Sequence, residues 1–347
     1  MEKLFFIGPC GGGGSPKNGA TAKNYHILLY LNELGIGHTI IDTERWKHNP
    51  LTLFKLAAAL FGNPNAVFIF SADSPSVYRV LRILSLLHLK RNIIYWVIGG
   101  SMPQRIKDGT YNRKIYKNVK WFLVEGKGMK ATLEECGFTG KVIHVTNCKN
   151  IHYIPPMQAH NSDMTKFVFM SRIIPEKGCN LIFEAAGNLS QKYSGRFSID
   201  FYGPIDDSYK DEFISNIQST VNTSYKGFLH LSKHEGFDSL ASYDAMLFPT
   251  FWHGEGFPGI MIDAFVCNLP IIASDWNMNA EIIQDGRNGL LCKPQSVDSL
   301  AAAMERIITD KALAYSMSEN CHTQSMAFDI HNVVSPDLLT RIGITGH

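Results

Sequence analysis

The sequence predicts an α/β protein made of two domains, each built on a doubly wound parallel sheet. Three observations lead to this class. The chain has 347 residues, which is too long for one ordinary core and long enough for two α/β domains. Short β-rich runs alternate with helix-like spacers, as in parallel sheets wound by right-handed crossovers. The alternation stops once, near the middle of the chain, and then restarts.

The individual elements follow from this alternation. Six β-rich runs are predicted in the first half, at 3–7, 38–41, 66–70, 92–97, 121–124 and 141–145. Polar residues with Pro155 and Pro156 then indicate an interdomain linker. Four more runs, at 166–170, 198–202, 244–248 and 270–273, predict a second Rossmann-like sheet. We therefore expect domains at 1–150 and 151–325, and a tail at 326–347 that returns to the N-terminal domain.

Composition narrows the class of protein. The chain has 45% hydrophobic and 18% charged residues, which is the composition of a globular protein. No run approaches the roughly 18 apolar residues of a spanning helix, and the start lacks the basic and long apolar regions of a signal peptide. We therefore expect a cytoplasmic protein. The seven cysteines contain no Cys-x-x-Cys pair, so neither a disulfide framework nor a zinc cluster is expected.

Charge is unevenly distributed along the chain. Residues 1–150 carry 20 Lys and Arg against 9 Asp and Glu, whereas residues 151–347 carry 13 against 22. A basic half beside an acidic half suggests that the first domain faces an anionic surface or a phosphate-bearing partner. Solvated lysines on ordinary helices would give the same balance.

A glycine-rich loop follows the first predicted strand. It runs from Gly8 to Gly19 and is followed by a predicted helix, the position at which open α/β sheets bind ligands. Glycines there let backbone amides approach a diphosphate, and Gly19 would lie at the positive end of the helix dipole. The spacing does not match Gly-x-Gly-x-x-Gly, which argues against a dinucleotide cofactor. A merely flexible loop remains an alternative.

Two cations follow the first strand of the second half. Arg172 ends the run Phe167-Val-Phe-Met-Ser-Arg, and Lys177 comes five residues later, before Gly178. A guanidinium fork and an ammonium group together would neutralise a diphosphate without a metal ion. A solvated basic loop would explain this motif if it stood alone.

Two carboxylates follow a later strand. Glu255 and Asp263 are separated by eight positions, with Pro258 placed to be the first residue of a helix. Such a segment offers acceptors for sugar and ribose hydroxyls beside a positive helix end. Surface acids that complement the helix dipole are the simpler interpretation of the segment by itself.

Taken in order, these motifs resemble the retaining glycosyltransferases of family 4, on the GT-B fold. The resemblance covers most of the second domain: Ser-Arg172, Glu-Lys177-Gly178, Asp200-Phe-Tyr-Gly203, Tyr225-Lys-Gly-Phe, Glu255-Gly-Phe-Pro through Asp263-Ala-Phe, Pro270-Ile-Ile-Ala-Ser-Asp275 and Ala280-Glu281 through Gly289-Leu. It implies two Rossmann-like domains that face each other across a cleft. Bacterial members of this kind build capsules and exopolysaccharides.

The resemblance also implies roles for residues. Arg172 and Lys177 would hold the donor diphosphate, Glu255 the hydroxyls of the transferred sugar, and Asp263 the ribose. The donor-binding set is completed by Gly19, Gly203, Gly256, Phe257, Pro258 and Gly259. The family usually has glutamate where Asp263 stands, so its ribose contact is in question. No metal or other cofactor is implied.

Two further features of the family bear on the reaction. Many members place a donor-contacting histidine where this chain has Tyr95 to Gly100, without one. We therefore nominate no general base, although His253 lies two residues before Glu255. The implied partners are a nucleotide sugar and a glycan or lipid-linked sugar acceptor. The basic N-terminal domain would bind an anionic membrane through Arg105, Lys107, Lys114, Lys117, Lys120, Lys127 and Lys130.

Other functions are compatible with parts of the pattern. A nucleotide-sugar epimerase or a sugar phosphorylase would share the fold and the phosphate contacts. A non-catalytic nucleotide-sugar-binding module would be expected to lack Glu255 or Lys177, and both are present. A dehydrogenase would use Asp42 after the second strand, but its glycine fingerprint is missing. Nucleic-acid binding is not expected, because no reading helix or aromatic motif accompanies the basic half.

Overall fold

The computed structural model describes residues 3–13, 18–44, 46, 49–158 and 163–344. The chain divides into two compact units. Unit 1 contains Met1–Asn150, Gly254–Gly259 and Phe328–His347, and unit 2 contains Ile151–His253 and Ile260–Ala327. The sequence predicts a continuous second domain at 151–325. The structure differs at one internal loop, 254–259, which groups with unit 1.

Unit 1 is built on a six-stranded parallel sheet. Its strands are β1 (Leu4–Gly8), β2 (Thr39–Asp42), β3 (Val67–Phe70), β4 (Asn92–Trp96), β5 (Val119–Val124) and β6 (Val142–His144). They lie in the order β2-β1-β3-β4-β5-β6. The chain leaves β1 toward β2 and returns on the other side to β3. The topological switch point of this sheet therefore lies between β1 and β3.

Helices cover both faces of the first sheet. They are α1 (Gly19–Glu33), α2 (Pro50–Gly62), α3 (Ser74–Leu86), α4 (Met102–Lys107) and α5 (Lys127–Leu133), joined by the tail helices α13 (Ile330–Val333) and α14 (Pro336–Ile342). One core combines Phe6 and Ile69 of the sheet with Ile27 of α1 and Leu339 of the tail. The tail therefore completes the hydrophobic core of unit 1.

Unit 2 repeats this architecture. Its strands are β7 (Thr165–Met170), β8 (Phe197–Tyr202), β9 (Thr223–Tyr225), β10 (Ala245–Phe248), β11 (Ile271–Ser274) and β12 (Gly289–Cys292). All pairs are parallel, in the order β12-β11-β10-β7-β8-β9. The switch point therefore lies between the central strands β7 and β10. The sequence reading missed the two outer strands, β9 and β12.

The helices of unit 2 follow its strands. They are α6 (Cys179–Tyr193), α7 (Lys210–Ser219), α8 (His234–Ala241), α9 (Gly259–Val266), α10 (Asn279–Ile282), α11 (Val297–Thr309) and α12 (Lys311–Ser325). The main core packs α6 and α11 on the sheet through buried residues such as Ile182, Phe201 and Met304. Among the described residues of both units, no helix is long and apolar enough to span a bilayer.

Candidate functional site

The predicted cations lie at the switch point of the second sheet. Arg172 follows β7 by two residues, and the segment Pro249–His253 follows β10. Because β7 and β10 are paired and parallel, their carboxyl ends reach the same edge of the sheet. The connection after β7 and the connection after β10 therefore meet.

A tryptophan brings the two cations together. The Arg172 Cζ atom lies 4.0 Å from the centre of the Trp252 ring, and the Lys177 Nζ atom lies 5.1 Å from the same centre. Lys177 also lies 5.6 Å above the Phe248 ring and is only 7% exposed. Aromatic faces attract cations, and Arg stacks on them with its donors still directed outward. The structure thus joins Arg172 and Lys177 in one cluster, as the sequence predicts.

The loop that carries Lys177 is fixed against the segment after β10. Gly178 has φ +84°, and a Cβ atom on it would lie 2.3 Å from the Pro249 carbonyl oxygen. The Phe251 N–H donates to the Glu176 carbonyl at 2.9 Å. Only glycine fits both the backbone conformation and the close approach. The position of Lys177 relative to Trp252 is therefore set by backbone contacts.

Gly203 supports the end of β7 from the other side. It has φ +135°, and a Cβ atom there would lie 1.8 Å from the Ser171 carbonyl oxygen. The Tyr225 hydroxyl donates to the Gly203 carbonyl at 2.9 Å. Gly203 was predicted to bind the donor. In the structure, its missing side chain lets the turn that follows β8 pack against Ser171, the residue before Arg172.

The Trp252 backbone is held by the turn after β11. Its carbonyl oxygen accepts hydrogen bonds from Trp276 Nε1 at 2.9 Å and from Asn277 Nδ2 at 3.3 Å. His253 is exposed and lies edge-on to the Trp276 ring, with centroids 5.1 Å apart. The contact between His253 and Trp276 is one of ring packing.

Asp263 lies in the second turn of α9 and is 6% exposed. The helix begins at Gly259, one residue after Pro258, so the expectation that Pro258 is the first helical residue is wrong by one position. Pro258 still immediately precedes the helix, where its missing N–H removes no helical hydrogen bond. Asp263 belongs to unit 2, together with Arg172, Lys177 and Gly203.

Glu255 belongs to the loop that groups with unit 1. The backbone of this loop, residues 254–259, packs on the Gly99–Gly100 turn that follows β4. A Cβ atom on Gly100 would lie 2.8 Å from the Glu255 carbonyl oxygen. Phe257 and Pro258 are buried in the same loop. The predicted residues from Glu255 to Gly259 therefore form one segment.

Gly19 begins α1, as the sequence predicts. Asn18 caps the helix by accepting from the Thr21 N–H at 3.0 Å, and the Thr21 hydroxyl accepts in return from the Asn18 N–H at 3.1 Å. Nothing lies within 4 Å of a Cβ atom added to Gly19. The preceding part of the glycine loop, residues 14–17, lies outside the described residues.

Asp42 binds the glycine loop. Its carboxylate oxygens accept from the backbone N–H groups of Cys10 at 2.9 Å, Gly12 at 2.7 Å and Glu44 at 2.9 Å. Burial, Asp42 and Glu44 raise the pKa of the Cys10 thiol to about 12. The carboxylate that a dehydrogenase would use for ribose thus accepts backbone hydrogen bonds from this loop and from Glu44.

Three residues with notable contacts were not singled out from the sequence: Trp252, Lys23 and Glu125. Trp252 lies three residues before Glu255, but an aromatic residue in a loop gives no periodic signal. Lys23 and Glu125 form a buried ion pair at 2.7 Å, although they are 102 positions apart. Glu125 directly follows the buried strand β5, and a charged residue at that position was the available signal.

Comparison with known proteins identifies similar chains. Residues 153–324 match the family described as glycosyl transferases group 1. The exopolysaccharide phosphotransferase of Streptomyces coelicolor is 42% identical over 76 residues, 22% of this chain and 8% of that protein. The 2-deoxystreptamine N-acetyl-D-glucosaminyltransferase of Niallia circulans is 23% identical over 219 residues, 62% of this chain and 54% of that protein. The chain thus spans about half or less of these relatives.

The fold is also found among solved structures. Anabaena HepE, crystallised with UDP, superposes with a TM-score of 0.69 at 16% identity, over 95% of this chain and 97% of HepE. The predicted GT-B fold, with two parallel-sheet units, is therefore confirmed.

Proposed function

We propose that this chain transfers a sugar from a nucleotide-diphosphate sugar to an acceptor hydroxyl. The reason is that residues 153–324 belong to the glycosyl transferases group 1 family. The acceptor is a glycan or a lipid-linked sugar, and the product belongs to surface polysaccharide synthesis. The observation that carries the proposal is the Arg172–Trp252–Lys177 cluster at the switch point of the second sheet. That is where open α/β folds bind anionic nucleotides.

The chemistry requires stabilisation of the leaving group. The bond between the anomeric carbon and the diphosphate oxygen breaks, and the acceptor oxygen bonds to the same face of that carbon. The proton of the acceptor hydroxyl passes to the departing diphosphate. Negative charge therefore grows on the diphosphate, where Arg172 and Lys177 donate charge-assisted hydrogen bonds in place of a metal.

The remaining predicted residues orient the donor. Glu255 accepts hydrogen bonds from hydroxyls of the transferred sugar, and Asp263 accepts from the ribose. The small residues of the set let the backbone approach the diphosphate and sugar: Gly19, Gly203, Gly256 and Gly259. Phe257 and Pro258 fix the shape of the loop, since both are buried.

A membrane-associated acceptor is consistent with the surface of unit 1. Helices α2 and α3 present large exposed apolar side chains: Leu51, Leu53, Phe54, Phe61, Ile83 and Leu86. The basic residues Lys55, Arg79 and Arg82 lie on the same two helices and are exposed. Arg91, just beyond α3, donates to the Leu60 carbonyl of α2 at 2.5 Å. This combination suits peripheral binding at the inner face of a cell membrane, where the protein would be cytoplasmic.

The membrane expectation from the sequence placed the contact elsewhere. That expectation used seven basic residues between Arg105 and Lys130. Among them, Lys107 pairs with Glu135 at 2.8 Å, and Lys130 pairs with Glu134 at 3.9 Å. These partners reduce the positive charge available there. Salt-sensitive binding to anionic vesicles, lost in Phe54→Glu and kept in Lys107→Glu, would support the α2 and α3 surface. Equal loss in both variants would place the contact at the lysines, and absence of binding would remove the membrane from the proposal.

A labelled donor tests the reaction. The protein is incubated with UDP-, GDP-, ADP- and dTDP-sugars that carry one isotope in the sugar and another in the β-phosphate, together with lipid-linked and free glycan acceptors. Mass spectrometry of the product is expected to show the sugar isotope without the phosphate isotope. NMR of the anomeric position is expected to show an α-linkage when the donor is α-linked. Transfer of both isotopes would indicate phosphotransfer, and return of the donor as an epimer would indicate epimerisation.

A further inference from the structure

Unit 1 contains a buried ion pair that the proposed reaction does not use. Lys23 of α1 and Glu125, just after β5, are 4% and 5% exposed, and their Nζ and Oε1 atoms are 2.7 Å apart. Lys23 also donates to the Val97 carbonyl at 3.1 Å. A buried ion pair is weak evidence for stabilisation, because desolvation offsets the attraction between the charges. The other contacts of the pair are therefore the better indication of its role.

The second oxygen of Glu125 binds the loop of residues 254–259. Oε2 accepts from the Phe257 N–H at 3.2 Å. Asn147, which is 7% exposed, donates through Nδ2 to the Phe257 carbonyl at 3.0 Å. Both backbone groups of Phe257 are thus bound by buried polar side chains of unit 1, and one of these bonds is charge-assisted.

The two residues before Phe257 are fixed by close packing. A Cβ atom on Gly100 would lie 2.8 Å from the Glu255 carbonyl oxygen, and one on Gly256 would lie 3.2 Å from both Glu125 Oε2 and the Gly99 Cα atom. The backbone from Glu255 to Phe257 therefore has little room to shift. The contact between Gly100 and Glu255 is independent of the ion pair.

We infer that Glu125, held by Lys23, is a positioning residue that sets the backbone of the loop carrying Glu255. The inference rests on the proposed function, in which Glu255 contacts the transferred sugar. Neither Lys23 nor Glu125 needs to touch substrate. Displacement of a substrate-contacting group by about 1 Å lowers turnover by roughly 100-fold, so release of the loop should reduce sugar transfer more than diphosphate binding.

The double variant Lys23→Met/Glu125→Leu is the most informative change. It removes the bond to Phe257 without leaving a buried unpaired charge, so the fold is retained better than in either single variant. The matched control is Lys192→Met/Glu305→Leu, which removes a solvent-accessible ion pair of 2.7 Å between α6 and α11 of unit 2, outside the loop of residues 254–259. In the test variant, kcat should fall about 10- to 100-fold. The Kd of the nucleoside diphosphate alone should stay within about twofold of wild type, since its contacts are assigned to Arg172 and Lys177.

Hydrogen exchange provides a readout that does not depend on activity. In the full-length protein, peptides covering 254–260 should exchange faster in the test variant and at the wild-type rate in the control. Unchanged exchange in the test variant would overturn the inference. Faster exchange with unchanged kcat would also overturn it, because the position of the loop would then not matter for transfer. If wild type transfers no sugar and binds no nucleoside diphosphate, the proposed function fails, while exchange still decides whether Glu125 holds the loop.

A second variant covers the case in which the double variant does not fold. Gly100→Ala inserts a methyl group against the Glu255 carbonyl and leaves the ion pair intact. Gly37→Ala is its control, because nothing lies within 4 Å of a Cβ atom there and its φ is not positive. Gly100→Ala should lower kcat and speed exchange of 254–260, whereas Gly37→Ala should do neither. Wild-type values for both readouts in Gly100→Ala would overturn the inference.

Discussion

The guanidinium of Arg172 stacks on the indole ring of Trp252, with its Cζ atom 4.0 Å from the ring centre. The same ring lies 5.1 Å from the Lys177 ammonium. One aromatic side chain thus orients both cations that are proposed to bind the donor diphosphate. A residue without charge therefore lies at the centre of the proposed anion site.

Replacement of Trp252 should weaken nucleotide binding. Each cation–π contact is worth about 0.5–2 kcal/mol, so Trp252→Ala is expected to raise the Kd of the preferred nucleoside diphosphate by about 10- to 100-fold. Trp252→Phe keeps an aromatic face and should lose less. Titration calorimetry with UDP, GDP and ADP measures the effect. A Kd in Trp252→Ala equal to that of wild type would show that the ring does not organise the cations.

Gly203 should be intolerant of any side chain. A methyl group would collide with the Ser171 carbonyl in a backbone conformation that L-residues rarely adopt. We expect Gly203→Ala to destabilise unit 2 by about 2–4 kcal/mol, which is seen as a lower thermal unfolding midpoint. Gly187→Ala, on α6 with nothing within 4 Å of its Cβ position, is the control and should be neutral or stabilising. Equal midpoints for the two variants would refute the steric argument.

The tail of unit 1 should be sensitive to pH. Hydrogen bonds from His331 to Glu33 and Asp329 raise the pKa of the imidazole above its ordinary value. Because protonated His331 binds better in the folded state, it stabilises the folded tail. This stabilisation is complete below the unfolded-state pKa of about 6.5. It is lost as the pH rises through the folded-state pKa. Because the side chain is 43% exposed, the effect should stay below about 1 kcal/mol.

Hydrogen exchange of residues 330–342, corrected for the intrinsic dependence on pH, measures this effect. In wild type, protection should fall as the pH rises above the unfolded-state pKa of about 6.5, and in His331→Gln it should be low and constant. The same loss of protection in both proteins would mean that another group controls the tail.

The sequence allowed most of the fold to be predicted, for physical reasons. Ten of the twelve strands were predicted, because apolar runs between helical spacers indicate buried parallel strands. The outer strand β9 was missed, since Thr223–Tyr225 is short and only partly buried. Loop 254–259 was predicted as part of a continuous domain at 151–325, and in the structure it groups with unit 1. Its contacts with Glu125 and Asn147 link residues more than 100 positions apart, so no local pattern indicates them.

The candidate site was predicted in part. Arg172 and Lys177 could be predicted as neighbours, because both follow one strand closely and charged groups at such ends serve anions. Trp252 could not be assigned a role, since its position between the two cations depends on the pairing of β7 with β10. The pair formed by Lys23 and Glu125 depends in the same way on where α1 lies beside β5.

The most direct test compares sugar transfer by wild type and Lys177→Ala, with Lys293→Ala as an exposed control in the same unit. Loss of one preorganised donor at the leaving group should lower kcat by about 100- to 1,000-fold, while the thermal unfolding midpoint stays near that of wild type and the control remains fully active. Near-normal transfer by Lys177→Ala, or no transfer by wild type from any nucleotide sugar, would contradict the assignment of this cluster to the donor diphosphate.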